Sequence, residues 1–406
     1  MGLPSSVGLV WSHIVGCCAG IRYLSSGCVF CLEPACASGC VGISLVCCFV
    51  LSYLHKCMIY DPFMIAWPLV IAALTFFLSA LFTPVLIRIL RKFKMGKTIR
   101  DASVAPVMAA MHGKKAGTPT MGGIVIWGTV LVVVLGLASL CGLFGEPWCR
   151  ASFLSRGQTW LPIGLMIGAA LIGLLDDYLN IRRVGPKGGG LRERHRLLSY
   201  GLIAVVGAWW FYTKLQWDQL HIPFVGTYEI GFWYVLFFIL VIIAISHSVN
   251  VTDGLDGLAG GTLLSAFIAY AIIAWSQGRF DLAVLCAAIV GALIGFLWFN
   301  VNPADIFMGD TGAMSLGTVL GVVALMTNQP LLLILIGLPF VIESLSVIFQ
   351  VTSKKLRNGK KLLKSAPLHH HLEAIGWSEP RIVMRFWLMS FVLAGVGVVL
   401  ALIDAV

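Results

Sequence analysis

The sequence predicts an all-α, polytopic integral membrane protein with about ten transmembrane helices and its chemistry at the cytoplasmic face. Three observations carry that prediction. Of 406 residues, 59% are hydrophobic and only 11% charged, far from the balance of a soluble domain. From Ala66 onward, ten stretches approach the roughly 20 apolar residues that a spanning helix needs. Of the 28 Lys and Arg residues, 21 fall in three segments, 91–115, 182–196 and 354–385. Threading ten helices through the chain sets all three segments on one side, which the positive-inside rule makes cytoplasmic. The net charge of +10 is therefore mostly a topology signal and not a nucleic-acid footprint.

In chain order, the predicted spans are 66–89, 121–143, 161–179, 198–213, 231–250, 258–276, 282–299, 314–328, 331–351 and 384–403. The first runs into the first basic loop, and the third runs into the adjacent carboxylates of LIGLLDDYLN. The fifth ends at NVTDGLDG and the seventh at FNVNPAD, both on the inner rim by the same threading. The ninth carries Glu343, and an acid inside a membrane span is a functional candidate unless it is paired across helices. The short outer loops hold Trp148 and Trp160, expected as interface anchors. Residues 58–406 make the ten-helix domain, and residues 1–57 a Cys-rich hydrophobic N-terminal extension.

Nine of the 12 cysteines lie in that extension. Cys28, Cys31, Cys36 and Cys40 sit among apolar residues without paired C-x-x-C spacing, so no metal knuckle is expected. The extension reads as a further hydrophobic segment near 41–57, a poorly cleavable signal-like sequence, or translation begun upstream of Met58 or Met64.

Five motifs gather on the inner rim. In KKAGTPTMGG (114–123), glycines and Pro119 expose backbone N–H groups, Thr118 and Thr120 add hydroxyls, and Lys114 and Lys115 add charge. Such a set suits an anion at a helix N-terminus, or simply a helix start on the basic side. Asp176 and Asp177 end a helix, where the dipole disfavours carboxylates unless Arg182, Arg183 or a metal compensates. In NVTDGLDGLAGG, Asp253 and Asp256 share a face of a helical turn beside Asn250. FNVNPADIFMGDTGA places Asn300, Asn302, Asp305 and Asp310 in an interrupted segment, with Asp310 at a probable helix start where it also suits an N-cap. APLHHHLEAIGW holds His369, His370 and His371, which cannot share one helix face as zinc ligands do and suit hydrogen bonds to phosphate, sugar or base. Carboxylates, lysines and histidines converging on one face suit magnesium-dependent transfer of a phosphate ester.

KAGTPTMGG, LLDDYLN, NVTDGLDGLAGG, FNVNPADIFMGDTGA and APLHHHLEAIGWSEPRIVMRFW together resemble the phospho-N-acetylmuramoyl-pentapeptide transferase family, in its order and ten-helix layout, over roughly 60–406. The wider superfamily of polyprenyl-phosphate N-acetylhexosamine-1-phosphate transferases shares the acidic motifs but carries a shorter histidine motif. The resemblance implies transfer of phospho-MurNAc-pentapeptide from UDP to undecaprenyl phosphate in the inner membrane, with release of UMP and a need for magnesium. It makes 58–406 a glycosyl-1-phosphate transferase domain, serving cell-wall biogenesis and hence cell shape and division. It also implies Asp310 as principal magnesium ligand, with Asp176 or Asp177 near metal and lipid phosphate. Asn250, Asp253 and Asp256 would contact the nucleotide or organise the site, Asn300 and Phe307 would border the uridine end, and Lys115 and Thr120 would meet the phosphates. His369, His370 and His371 would meet the nucleotide-sugar. The bilayer is a partner, and a homodimer is a further expectation. Two departures stand out: Asn180 replaces the Lys of Asp-Asp-x-x-Lys, and Arg196 stands at a later Lys position. A transporter would also line a cavity with acids, but at midplane and with internal repeats, which the rim placement disfavours.

Overall fold

Long apolar runs can satisfy their backbone inside a bilayer only as helices, and ten long helices dominate the described chain. The computed structural model describes residues 62–96, 115, 117–146, 148–155, 157–185 and 189–405. The chain divides into two units, Met1–Pro62 and Phe63–Val406. The expected extension 1–57, its weak span and Lys114 lie outside the described residues. The long helices are α1 (Pro62–Lys92), α2 (Gly123–Phe144), α3 (Trp160–Ile181), α4 (Glu193–Lys214) and α5 (Trp233–Thr252). They continue as α6 (Leu258–Ser276), α7 (Phe280–Asn300), α8 (Gly309–Met326), α9 (Leu338–Leu356) and α10 (Glu379–Asp404). Three short helical pieces, Trp148–Ala151, Leu333–Ile336 and Leu368–Ala374, and a two-stranded antiparallel hairpin, β1 (Gln219–Ile222) and β2 (Gly226–Glu229), complete the fold.

Eight of these helices are long and apolar enough to cross a membrane. The more polar α4 also runs from face to face. At the start of α4, Arg196 reaches Asn250 at the end of α5 (3.3 Å). The far end of α4 leads into the hairpin, which docks on Asn328 and on Asp404 at the C-terminus of α10. Over 22 residues α4 thus covers about 33 Å, a full membrane core. The span expected at 331–351 is instead broken at Gly337 into two helices. Pro339 in the first turn of α9 explains the restart, because it has no N–H to continue a preceding helix. Likewise α8 and α10 begin about a turn earlier than apolarity alone predicts, at Gly309 and Glu379, where polar residues face the rim.

The outer ends carry the hairpin, exposed Trp148 and Trp160, and a Cys141–Cys149 disulfide joining α2 to the short helix after it. Disulfides belong on the oxidising side of a membrane. Their placement agrees with the orientation set by the basic loops. At the centre, α8 is almost wholly buried, and small residues let neighbours approach it. A Cβ on Gly123 would lie 2.3 Å from Gly312, one on Gly173 2.5 Å from the Asp310 carbonyl, and one on Gly317 2.9 Å from Ser246. This close packing fixes the N-terminus of α8 against the ends of α3 and α5.

Candidate active site

That N-terminus is the pivot of the inner rim. Asp177, at the end of α3, accepts the backbone N–H of Asp310 through Oδ1 and of Thr311 through Oδ2, both at 3.1 Å. A carboxylate that the α3 dipole disfavours is thereby placed on the favourable end of α8. The helix is capped in trans by Asp177, and Asp310 is left to point elsewhere. Thr311 completes the joint by donating to the Ala170 carbonyl at 2.8 Å. Gly309 makes the approach possible: its φ is +75°, and a Cβ there would lie 2.5 Å from Asp177 Oδ2.

Asp176 is fully buried and turned the other way. It accepts the Leu191 N–H at 2.5 Å and a two-pronged contact from Arg196, Nε at 3.1 Å and Nη2 at 2.6 Å. The same guanidinium reaches Asp310 Oδ2 and Asn250 Oδ1, each at 3.3 Å. Asn250 Nδ2 donates to Asp310 Oδ1 at 2.5 Å. The cation that compensates the aspartates is therefore Arg196. Of the two arginines expected for that task, Arg182 lies over the Tyr178 ring. Asn180, the other departure, packs its amide against Gly190.

A second cluster lies along the 250–257 and 300–308 loops. Lys115 bridges Asp256 Oδ1 at 2.6 Å and Glu379 Oε1 at 2.5 Å, and Glu379 also accepts the Asp256 N–H. Asp256 Oδ2 takes N–H groups from Asn302 and Ala304. Buried Asn300 accepts the Gly257 N–H and donates to the Ile306 carbonyl, which braces one loop against the other. Asp253 ends α5 half-buried, and Phe307 is half-buried between the turn at Pro119 and α8. The 117–123 turn is not the open anion cradle its glycines suggest. The N–H groups of Thr120, Gly122 and Gly123 donate to the carbonyls of Met95, Phe307 and Met308. Thr120 is buried beside Gly309. Asp305 stands apart, in an exposed pair with Arg91.

The three histidines take different partners, although the rings of His369 and His370 lie against each other with centroids 4.2 Å apart. His369 is buried, with Nδ1 3.0 Å from Glu343 and its backbone N–H also on that carboxylate. Its ring edge abuts Gly254, beside Asp253. His370 pairs with Glu373 at 2.7 Å, and His371 accepts the Lys364 N–H. Glu343 is thus paired across elements, one of the two readings its sequence position allowed.

Sequence reasoning gave Glu379 no role. It is the middle residue of the Ser378-Glu379-Pro380 helix start and looks like an ordinary first-turn acid. Trp387, whose indole donates to the Gly257 carbonyl at 3.0 Å, was hidden in an apolar run. Among the described residues no three acidic, His or Cys side chains converge closely enough to cage a metal. Asp310 is the acid whose side chain stays partly open at this junction (17% exposed), beside buried Asp176.

Residues 159–328 match the model of Glycosyl transferase family 4, and residues 115–126 match the phospho-N-acetylmuramoyl-pentapeptide-transferase signature 1. The phospho-N-acetylmuramoyl-pentapeptide-transferase of Geobacillus sp. (strain WCH70) is 41% identical over 328 residues, 80% of this chain and 95% of that one. That of Geobacillus thermodenitrificans (strain NG80-2) is 40% identical over 331 residues, with 80% and 95% covered. That of Bacillus cereus (strain AH187) is 42% identical over 333 residues, with 81% and 96% covered.

Proposed function

The chain belongs to the phospho-N-acetylmuramoyl-pentapeptide-transferase family, and from that premise we propose how its rim residues divide the work. The reaction moves phospho-MurNAc-pentapeptide from UDP to undecaprenyl phosphate, giving lipid I and UMP for peptidoglycan synthesis. It takes place at the cytoplasmic face of the inner membrane. A phosphate oxygen of the lipid attacks the sugar-linked phosphorus, and the bond from that phosphorus to the UMP oxygen breaks. Anion meets anion, so positioning and charge neutralisation dominate the barrier.

Asp310 is the residue at the reacting phosphates. Its carboxylate is braced by Asn250 and Arg196, and a carboxylate has lone pairs to spare beyond those two contacts. That donor set fits magnesium held by one or two carboxylates plus substrate phosphates, with Asp310 first and Asp176 beside it. When bound, the ion supplies neutralisation of the pyrophosphate. Asp177 contributes by fixing the start of α8, and so the direction of Asp310. Arg196 holds Asp176 in place through its two-pronged contact, standing where the family has Lys. Little general-base work is required, because a phosphate monoester is largely ionised at neutral pH.

Lys115, Asp256 and Glu379 form the nucleotide end, with Asn300 bracing the loop and Phe307 and Asp253 lining it. Thr120 supports the junction with α8. His369, fixed by Glu343, sets the 250–257 turn, while His370 and His371 meet the sugar phosphates. The catalytic domain is 58–406. Every residue of this scheme comes from one chain, so a homodimer would hold two complete sites. The observation that carries the reading is the Asp310 carboxylate bridging Asn250 and Arg196 on a helix capped by Asp177. Its test is magnesium-dependent UMP release with both substrates. Asp310→Asn should lose nearly all turnover while staying folded, and full activity in that variant would sink the assignment.

A further inference from the structure

The first turns of α10 grip the loop after α5 at two successive residues. Glu379 accepts the Asp256 N–H at 2.7 Å, and about two helical turns later Trp387 donates its indole N–H to the Gly257 carbonyl at 3.0 Å. From the other side, Asn300 accepts the Gly257 N–H at 3.1 Å. The Gly257 carbonyl also takes the Gly261 N–H in the first turn of α6. A carbonyl has two lone pairs, so the indole adds a second bond to a group that is already satisfied. What it contributes is direction: it sets the plane of the peptide that follows Asp256.

The ring is seated for that contact. A Cβ on Gly261 would lie 2.0 Å from the indole nitrogen, so the close approach needs glycine there. Gly257 has a φ of +78°, and a Cβ on it would lie 3.4 Å from the same ring. Leu255 and Leu258 of the loop pack on Ile382, Val383 and Phe386 of α10 in a buried cluster distinct from the main core, with Leu372 of the histidine helix against it. A functional group is held only as firmly as the packing behind it. Here that packing lies directly behind Asp256, whose carboxylate holds Lys115 at 2.6 Å.

We propose that Trp387 is a positioning residue for the nucleotide end. Its indole N–H fixes the 256–257 peptide, and through Asp256 and Lys115 it governs affinity for the UDP-sugar but not for the lipid or magnesium. The proposal rests on the assignment of Lys115 and Asp256 to the nucleotide. UMP release by the purified full-length protein is measured while UDP-MurNAc-pentapeptide, undecaprenyl phosphate and magnesium are varied in turn. Trp387→Phe keeps a ring in the cluster and removes the N–H. It should raise KM for the UDP-sugar about fivefold, as loss of one neutral hydrogen bond does, with kcat, the lipid KM and the magnesium requirement within about twofold. Phe238→Leu, in the main core near the start of α5, should lower the melting temperature and leave all four quantities unchanged. Lys115→Ala should raise the UDP-sugar KM by more than about tenfold. If it does so while Trp387→Phe leaves that KM unchanged, or shifts kcat or the lipid KM as much, the role of Trp387 is overturned and the nucleotide assignment stands. An equal rise in Phe238→Leu would overturn that role too. An unchanged UDP-sugar KM in Lys115→Ala would overturn the assignment, and the proposal with it.

Discussion

Replacing Arg196 with Gln separates the two consequences of putting one cation among buried acids. Arg196 makes two bonds to fully buried Asp176 (3.1 and 2.6 Å) and one contact each to Asp310 and Asn250 (3.3 Å). Removing one partner of a buried pair costs about 3–5 kcal/mol, because the remaining charge is left uncompensated. Asp176 keeps the Leu191 N–H and Asp310 keeps Asn250, which puts the loss near the lower end, about 3 kcal/mol. For a chain of 406 residues that lowers the melting temperature by on the order of 3–4 °C.

The effect on magnesium has the opposite sign. Taking a positive charge from beside Asp310 makes the site more attractive to a divalent cation. The half-saturating magnesium concentration should therefore fall, by roughly tenfold at the effective dielectric of a partly buried site, even as turnover drops. Adding Asp176→Asn to Arg196→Gln removes the orphaned charge. The double variant should recover about 2 kcal/mol relative to additivity. Thermal melts and a magnesium titration of UMP release read all three quantities. A melt close to wild type, a raised magnesium requirement, or strict additivity would refute the reasoning.

Two further outcomes follow from the same geometry. Gly309→Ala places a Cβ 2.5 Å from Asp177 Oδ2 at a φ of +75°, so it should uncap α8 and cut turnover by about 100-fold or prevent folding; wild-type kinetics in the purified variant would argue against the trans cap. Asn180→Lys restores the family residue, but Arg196 already supplies the cation and Asn180 packs on Gly190. Turnover should stay within about threefold of wild type, and a large gain would mean that the site lacks a cation Arg196 does not replace.

The inner rim itself was legible from hydropathy and the basic loops alone, and Asp176, Asp177, Asn250 and Asp310 do meet there. What sequence could not tell was their division of labour. Asp176 and Asp177 are adjacent, yet one is an ion-pair partner and the other a cap for a helix more than 130 residues away. That split depends on which way each side chain leaves the last turn of α3. Arg196 was visible only as a departure from a family pattern. The N–H donors of the Gly-Thr turn at 117–123 suit either an anion cradle or a plain helix start, and sequence does not choose between them. In the fold those donors are spent on Met95, Phe307 and Met308, since buried amides must find partners. The break at Gly337 was hidden because the residues on either side are equally apolar, and Glu379 because its partner, Lys115, lies at the other end of the chain.

The central claim is that Asp310 itself touches the metal, and metal rescue tests that contact. Asp310→Cys should be nearly inactive with magnesium, a hard ion that avoids sulfur, and should regain turnover with cadmium, which a thiolate prefers. Asp177→Cys, placed in the cap, should gain nothing from cadmium. Full activity of Asp310→Cys with magnesium, or cadmium rescue of Asp177→Cys and not of Asp310→Cys, would contradict the account.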